Sequence, residues 1–263
     1  MSTMKIYILA DMEGISGIRM MEQVQKEHPE HFEPARKLMM QDINACAAGC
    51  FDGGATEVVV CDTHGGGGQS RVEDLDERLR SETPGGGRLM PSLDASFAGV
   101  ILLGHHARAG TVGGFLDHTM SSAEWFAYRL NGQEVGEIGI EAAWAGQYDV
   151  PVIMVEGDEA TAVEARETLG DVACAVVKRG VSRNRAHCLP LPEAHRIVRE
   201  TAADAVRQAR DFKPFKPSLP ATIELTLYRS DMCERVAFRR GVERVDARTV
   251  RWHAESLNDV LLW

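Results

Sequence analysis

The chain has 263 residues, of which 44% are hydrophobic and 26% charged, and its formal net charge is -10. That balance describes a water-soluble globular fold of one large domain or two modest ones, and no apolar run approaches the roughly 20 residues that a membrane span requires. An acidic chain also lacks the basic face that a phosphate backbone demands, so a nucleic-acid partner is excluded.

In chain order, residues 1–5 lead directly into strand-like sequence, without the apolar core and small-residue cleavage site of a secretory leader, so a cytoplasmic location is expected. Residues 5–10 (KIYILA) read as a strand, and residues 34–51 carry apolar side chains at helical spacing up to Gly53-Gly54. TEVVVC at 56–61 is a β-branched run with the character of a buried strand. A glycine run at 65–68 follows, then a polar helix over about 71–80, while Gly85-Gly86-Gly87 reads as a surface turn. GVILL at 99–103 is another buried strand. Residues 125–130 and 133–135 flank Asn131-Gly132, a strong hairpin signal. Helix is expected over 136–146, strand over 150–155, helix over 158–169 and strand over 172–177. This alternation predicts an α/β fold, a layered and largely parallel sheet flanked by helices, over about residues 1–180.

The character then changes. A basic loop at 179–185 precedes a helix over 192–210, and the segment 211–220 is too proline-rich for helix or central strand. Strands at 222–228 and 248–254 and a short closing helix at 256–263 complete the chain. Residues 181–263 are therefore expected to form a smaller C-terminal α+β lobe, joined near 211–220. The six cysteines form no CxxC pair and sit in apolar segments, so they read as reduced and mostly buried. Cys46 and Cys50, four apart on a helix, read as core packing.

Metal-capable side chains gather where strands end. The first strand exits into Asp11-Met12-Glu13, the second into Asp62-Thr63-His64, the third into His105-His106, and the hairpin gives way to Gly136-Glu137. In an open α/β sheet these carboxyl ends share one edge, where ligands bind. Asp11 and Glu13, at i and i+2 of an extended chain, point the same way and repel unless a cation compensates them. Imidazole with carboxylate suits zinc, or manganese and cobalt. Taken singly, each group has a structural reading: a loop DxE, a turn-capping His64, one buried and one exposed histidine at 105–106, and a Glu137 that favours a helix N-terminus. His118, alone after a glycine-rich loop, reads first as a structural hydrogen-bonding residue, with ligand or acid–base roles as alternatives. The run 65–68 lacks the GK[ST] ending of a phosphate loop and reads as a flexible rim.

These segments together resemble peptidase family M55, the D-aminopeptidase type of zinc metallopeptidases. Its S-x-D-x-E-G motif is similar to Leu9-Ala10-Asp11-Met12-Glu13-Gly14, with leucine at the serine position. Asp62-Thr63-His64, Gly104-His105-His106-Ala107, Asp117-His118-Thr119-Met120 and Val135-Gly136-Glu137-Ile138-Gly139 resemble the later motifs in the same order. The resemblance implies two Zn2+ per subunit. Asp11 would bridge them, with Glu13 and His64 on one ion and His106 and Glu137 on the other. It implies His118 as the catalytic histidine, as nucleophile or as acid and base. It further implies a short-peptide or amino-acid-amide substrate with a D-residue at its N-terminus, and a homo-oligomeric ring with a decamer as the expected form. Asp62 is a candidate to orient a ligand histidine or to cap its turn, and Lys178 and Arg183 are candidates for a substrate carboxylate or for a solvated basic loop. A two-metal phosphoesterase and a metal-stabilised assembly protein are the alternatives; the absence of cysteine from the ligand set argues against the latter.

Overall fold

The computed structural model describes residues 3–85 and 87–261. The chain begins with β1 (Lys5–Ala10), α1 (Pro29–Asp52), β2 (Glu57–Asp62), β3 (Arg80–Glu82) and β4 (Phe97–Leu103). Next come β5 (Trp125–Leu130), β6 (Gln133–Glu134), α2 (Glu137–Gly146), β7 (Val152–Asp158), α3 (Glu159–Leu169), β8 (Ala173–Ser182) and β9 (Arg185–Cys188). The chain continues through α4 (Leu191–Arg207), β10 (Ala221–Leu227), α5 (Ser230–Ala237), β11 (Glu243–Arg244) and β12 (Thr249–Ala254).

Seven strands form one sheet in the order β3-β2-β1-β4-β7-β8-β9, parallel except at β9. β1 lies between β2 and β4, with Ala10 in register with Asp62 on one side and Leu103 on the other. Three strands therefore release their chain at one level of one edge, as the α/β expectation requires. Strand alternation divides the core in two. Ile6, Ile8 and Ala10 pack with residues of α1 and α4, such as Met39 and Val198, whereas Tyr7 and Leu9 pack with α2 and the second sheet, including Trp144 and Trp252. That second sheet is antiparallel, in the order β11-β12-β10-β5-β6. Its β5–β6 hairpin turns through Asn131 and Gly132, both at positive φ, as the Asn-Gly pair predicts. Among the described residues no helix is long and apolar enough to cross a membrane.

Several local expectations need correction. The polar helix expected at 71–80 is a single 3-10 turn at Val72–Asp74, and only its last residue, Arg80, enters β3, which pairs with β2. The basic loop at 179–185 is the continuation of β8 and the turn into β9: Arg179 pairs with His187 and Gly180 with Ala186. The helix expected from residue 34 begins at Pro29, and Pro34 lies inside it. Both α5 and β3 went unforeseen, since eight and three residues leave little periodicity to detect. The closing helix shortens to a 3-10 turn at Leu257–Asp259, and residues 262–263 lie outside the described residues, as does Gly86 of the expected surface turn. Nor do the two sheets divide at residue 180. β9 belongs to the first sheet and α4 to its helical layer, while the β5–β6 hairpin belongs to the second sheet.

The loop leaving β1 is fastened from two sides. Asp11 N–H donates to Leu103 O at 2.8 Å and Gly14 N–H to Gly104 O at 2.7 Å, closing it onto the exit of β4. Both glycines are required by this close approach: a Cβ on Gly14 would stand 2.1 Å from His105 O, and one on Gly104, at φ +70, would stand 2.4 Å from Asp11 O. From the other side comes Lys178 of β8, which is buried rather than solvated. Its ammonium donates to the carbonyls of Glu13, Ile15 and Ile18 at 2.7, 2.6 and 2.8 Å, using all three of its protons. Burial pulls its pKa down to about 8, opposed by nearby acidic groups including Glu156 and Asp42, so the amine stays charged at neutral pH. Lys178→Met takes the charged donor from three buried carbonyls, of which Ile15 O keeps Ile18 N–H at 3.1 Å and Ile18 O keeps the Cys188 thiol at 3.4 Å, and we expect a loss of roughly 2 kcal/mol of unfolding free energy in urea titrations. A variant as stable as the native chain would show that the loop holds its shape without this lysine.

Candidate metal centre and catalytic site

Asp11 stands at the middle of the strand-edge cluster and divides its two oxygens between two histidines. Oδ1 lies 3.1 Å from His64 Nδ1 and Oδ2 lies 3.4 Å from His106 Nε2. On the first side, Glu13 Oε2 also lies 3.1 Å from His64 Nδ1. On the second, Glu137 Oε1 lies 3.3 Å from His106 Nε2 and 3.5 Å from His118 Nε2. The structure thus brings together Asp11, Glu13, His64, His106, Glu137 and His118, from four separate stretches of chain.

Each imidazole has its far nitrogen tied to a backbone carbonyl, which sets which nitrogen faces the cluster. His64 Nε2 donates to Val24 O at 3.0 Å and His106 Nδ1 to Ala107 O at 3.1 Å. His118 Nδ1 donates to Leu116 O at 2.8 Å, and its ring stacks on that of His106 with centroids 3.8 Å apart. Leu116 itself has φ 51, and its N–H is held at 2.6 Å by the carbonyl of Arg183 in the β8–β9 turn. Glu137 opens α2, where helix N-termini favour a carboxylate, and it accepts the N–H of Met120 at 2.7 Å. Glu164 of α3, buried, accepts from Arg108 N at 2.6 Å and Gly136 N at 3.1 Å, so one carboxylate secures the loops that carry His106 and Glu137. Asp158 caps α3 through Thr161 and also accepts Phe115 N–H at 2.8 Å, fixing the approach to His118.

The charges are strongly interdependent. Burial raises the pKa of Asp11, yet hydrogen bonding from His106 and His64 more than offsets it, leaving the carboxylate well below its ordinary range. Burial likewise works against ionised Glu137, and the His106 and His118 imidazoles bring it down to about 2. Burial disfavours protonated His64 and His106, but the facing carboxylates raise both well above the usual histidine value. Asp11 and Glu137 are therefore held ionised, against their desolvation, by the imidazoles set between them.

The donor set fits divalent cations. His106 Nε2 is buried, has no hydrogen-bond partner, and is aimed between two carboxylates. Asp11, Glu13 and His106 present ligand atoms within 4.8 Å of one another, as do His106, His118 and Glu137. An orphaned imidazole nitrogen facing carboxylates is the donor pattern of zinc and its neighbours. Beside these groups lies a cavity of about 440 Å³, with Met21, Val24, Leu89 and Met120 on its apolar wall.

Other expectations come out differently. His105 and His106 are both buried, not one buried and one exposed; His105 points away from the cluster and pairs with Glu141. Asp62 acts as a turn cap, accepting the N–H groups of Gln69 and Ser70. Lys178 is buried with its ammonium on three main-chain carbonyls and is not on the cavity wall. Glu164 and Glu141 were missed altogether: each is an ordinary helix residue in sequence, and no local pattern reveals that its partners are loop N–H groups or a histidine.

Three comparisons bear on this arrangement. The family model described as D-aminopeptidase matches residues 4–263. The D-aminopeptidase of Bacillus subtilis (strain 168) is 34% identical over 257 residues, covering 97% of this chain and 93% of that protein. The solved structure described as the Zn-dependent D-aminopeptidase DppA from Bacillus subtilis, a self-compartmentalizing protease, superposes with a TM-score of 0.93 at 33% identity, over 98% of this chain and 94% of its own. With such a match from end to end, the chain belongs to the D-aminopeptidase family, peptidase family M55, and is a metallo-aminopeptidase.

Proposed function

We propose that this enzyme is a zinc-dependent aminopeptidase. It acts on short peptides or amino-acid amides with a D-residue at the N-terminus, carries two Zn2+ per subunit, and uses His118 as its catalytic histidine. Asp11 would serve both ions, with Glu13 and His64 holding one and His106 and Glu137 the other. The observation that carries this reading is the division of the Asp11 oxygens, one toward His64 and one toward His106. The zinc dependence of the Bacillus subtilis relative supports the choice of metal.

Zinc bound there would supply a water of lowered pKa and a Lewis acid for the scissile carbonyl. The protein's own work lies in proton handling and orientation. With Nδ1–H committed to Leu116 O, His118 has Nε2 as its working atom, and stacking on His106 fixes the plane in which that atom moves. Glu137 Oε1 lies 3.5 Å from that nitrogen, and His118 Nε2 delivers a proton to the leaving amine. The cavity has the volume of a ligand the size of a dipeptide, within the several-hundred Å³ range of small-molecule sites. The assembly is a homo-oligomeric cytoplasmic ring, with a decamer as its expected form. In support stand the relative's description as self-compartmentalizing and the exposed aromatic Phe238, 91% accessible in the single chain.

Zinc content and turnover together test these assignments. Asp11→Asn should lower metal content at both positions, so elemental analysis should fall from two zinc per subunit toward none; an unchanged stoichiometry contradicts the bridge. His118→Ala should retain zinc while hydrolysis of D-alanyl amide falls by about a hundredfold or more, the usual scale for a lost acid–base group. Native turnover in that variant would end the catalytic assignment. Chelation should abolish activity on D-alanyl amide and added zinc should restore it, with the L-alanyl amide and a generic phosphate ester as controls.

A further inference from the structure

We propose that Arg183 is a binding residue for the free α-carboxylate of the leaving amino acid, so that the preferred substrates are dipeptides with an ionised C-terminus rather than their amides. The inference rests on the aminopeptidase reading above.

Charge is the first argument. The cavity beside the candidate metal centre is lined by Asp11, Glu13 and Glu137, and among the described residues Arg183 is the only lysine or arginine on its wall. A substrate carboxylate entering this acidic place meets one guanidinium and no lysine on the wall. Arginine suits that pairing, since its planar fork matches a carboxylate with two parallel N–H groups.

Position is the second. Arg183 belongs to the turn that holds His118 in place: its carbonyl accepts Leu116 N–H, and the Leu116 carbonyl accepts His118 Nδ1–H. Its guanidinium is steadied by Asp117, with Oδ1 3.5 Å from Nε, and by Asn184, with Oδ1 3.2 Å from Nη1. Asp117 is itself fixed by Gly110 N–H at 2.6 Å. These contacts engage Nε and Nη1 and do not use Nη2. In hydrolysis the amide C–N bond breaks, the oxygen of water goes to the acyl carbon, and a proton passes to the leaving amine through His118. In a dipeptide the carboxylate is two bonds from that amine. It must therefore lie on the His118 side of the cavity, where Arg183 stands.

The rival explanation is that Arg183 only braces the turn through Asp117. A brace affects every substrate alike, whereas a carboxylate receptor separates an acid from its amide. The zinc-loaded native enzyme should be compared on D-alanyl-D-alanine and D-alanyl-D-alaninamide. We expect kcat/KM to favour the free acid by about tenfold or more, the scale of one charge-assisted pair. In Arg183→Met that ratio should fall close to one, chiefly through a raised KM for the acid, and Arg183→Lys should recover part of it. A native ratio near one, or a ratio unmoved by Arg183→Met, overturns the inference while leaving the aminopeptidase reading intact. Should Arg183→Met misfold, Arg183→Lys carries the test: a native-like ratio in that variant with unchanged KM for the acid overturns the inference, as does a native ratio near one. Failure of the native enzyme to hydrolyse either compound overturns the aminopeptidase reading, and this inference with it.

Discussion

The crowding of Asp11, Glu13 and Glu137 is the constraint on which this structure depends. Buried Asp11 and Glu13 and part-buried Glu137 converge on one edge of a sheet, where their mutual repulsion and lost hydration would each cost several kcal/mol if left uncompensated. Compensation is built in as two imidazoles that face them and whose far nitrogens are anchored to main-chain carbonyls. The same arrangement that makes the crowding tolerable also makes it a receptor for cations. His106 offers an orphaned nitrogen between Asp11 and Glu137, and Asp11 offers a carboxylate shared between two sides.

Much of the rest of the molecule keeps that cluster from relaxing. The parallel register brings the exits of β1, β2 and β4 to a common level, and hydrogen bonds at Gly14 and Gly104 then draw two of those exits into backbone contact. Lys178 works from below, spending its three protons on the loop that carries Glu13. Glu164 and Asp158 work from α3, each joining a helix to loops of the site. Charged and polar residues are thus buried where they can organise main chain, and the ligands inherit their positions from it. Rigid placement of this kind is what lets a metal site present fixed geometry to a substrate.

The second sheet has a different relation to the site. Its β5–β6 hairpin leads directly into α2 and so into Glu137, while β10 and β12, from the far end of the chain, pack it in place. Residues beyond 180 are therefore part of the support of an earlier ligand. That dependence accounts for a family match that runs through the whole chain and does not stop at the metal-binding segments.

Residue types and their order were enough to determine the α/β alternation, the Asn131-Gly132 turn and the set of side chains that meet at the strand ends. Period, turn chemistry and motif spacing are local properties, written within a few residues of each other. Where the chain's own periodicity was short, as in β3 and α5, or where a basic run was absorbed into a strand, as at Arg179, pairing with distant segments decided the outcome. The same holds for Lys178, Glu164, His105 and Arg183. Their partners are main-chain groups or side chains many residues away, and a main-chain carbonyl leaves no mark in a sequence. Only the tertiary structure could decide that one lysine grips a loop, that one histidine turns from the cluster toward Glu141, and that an arginine at a hairpin turn stands beside His118 on the cavity wall.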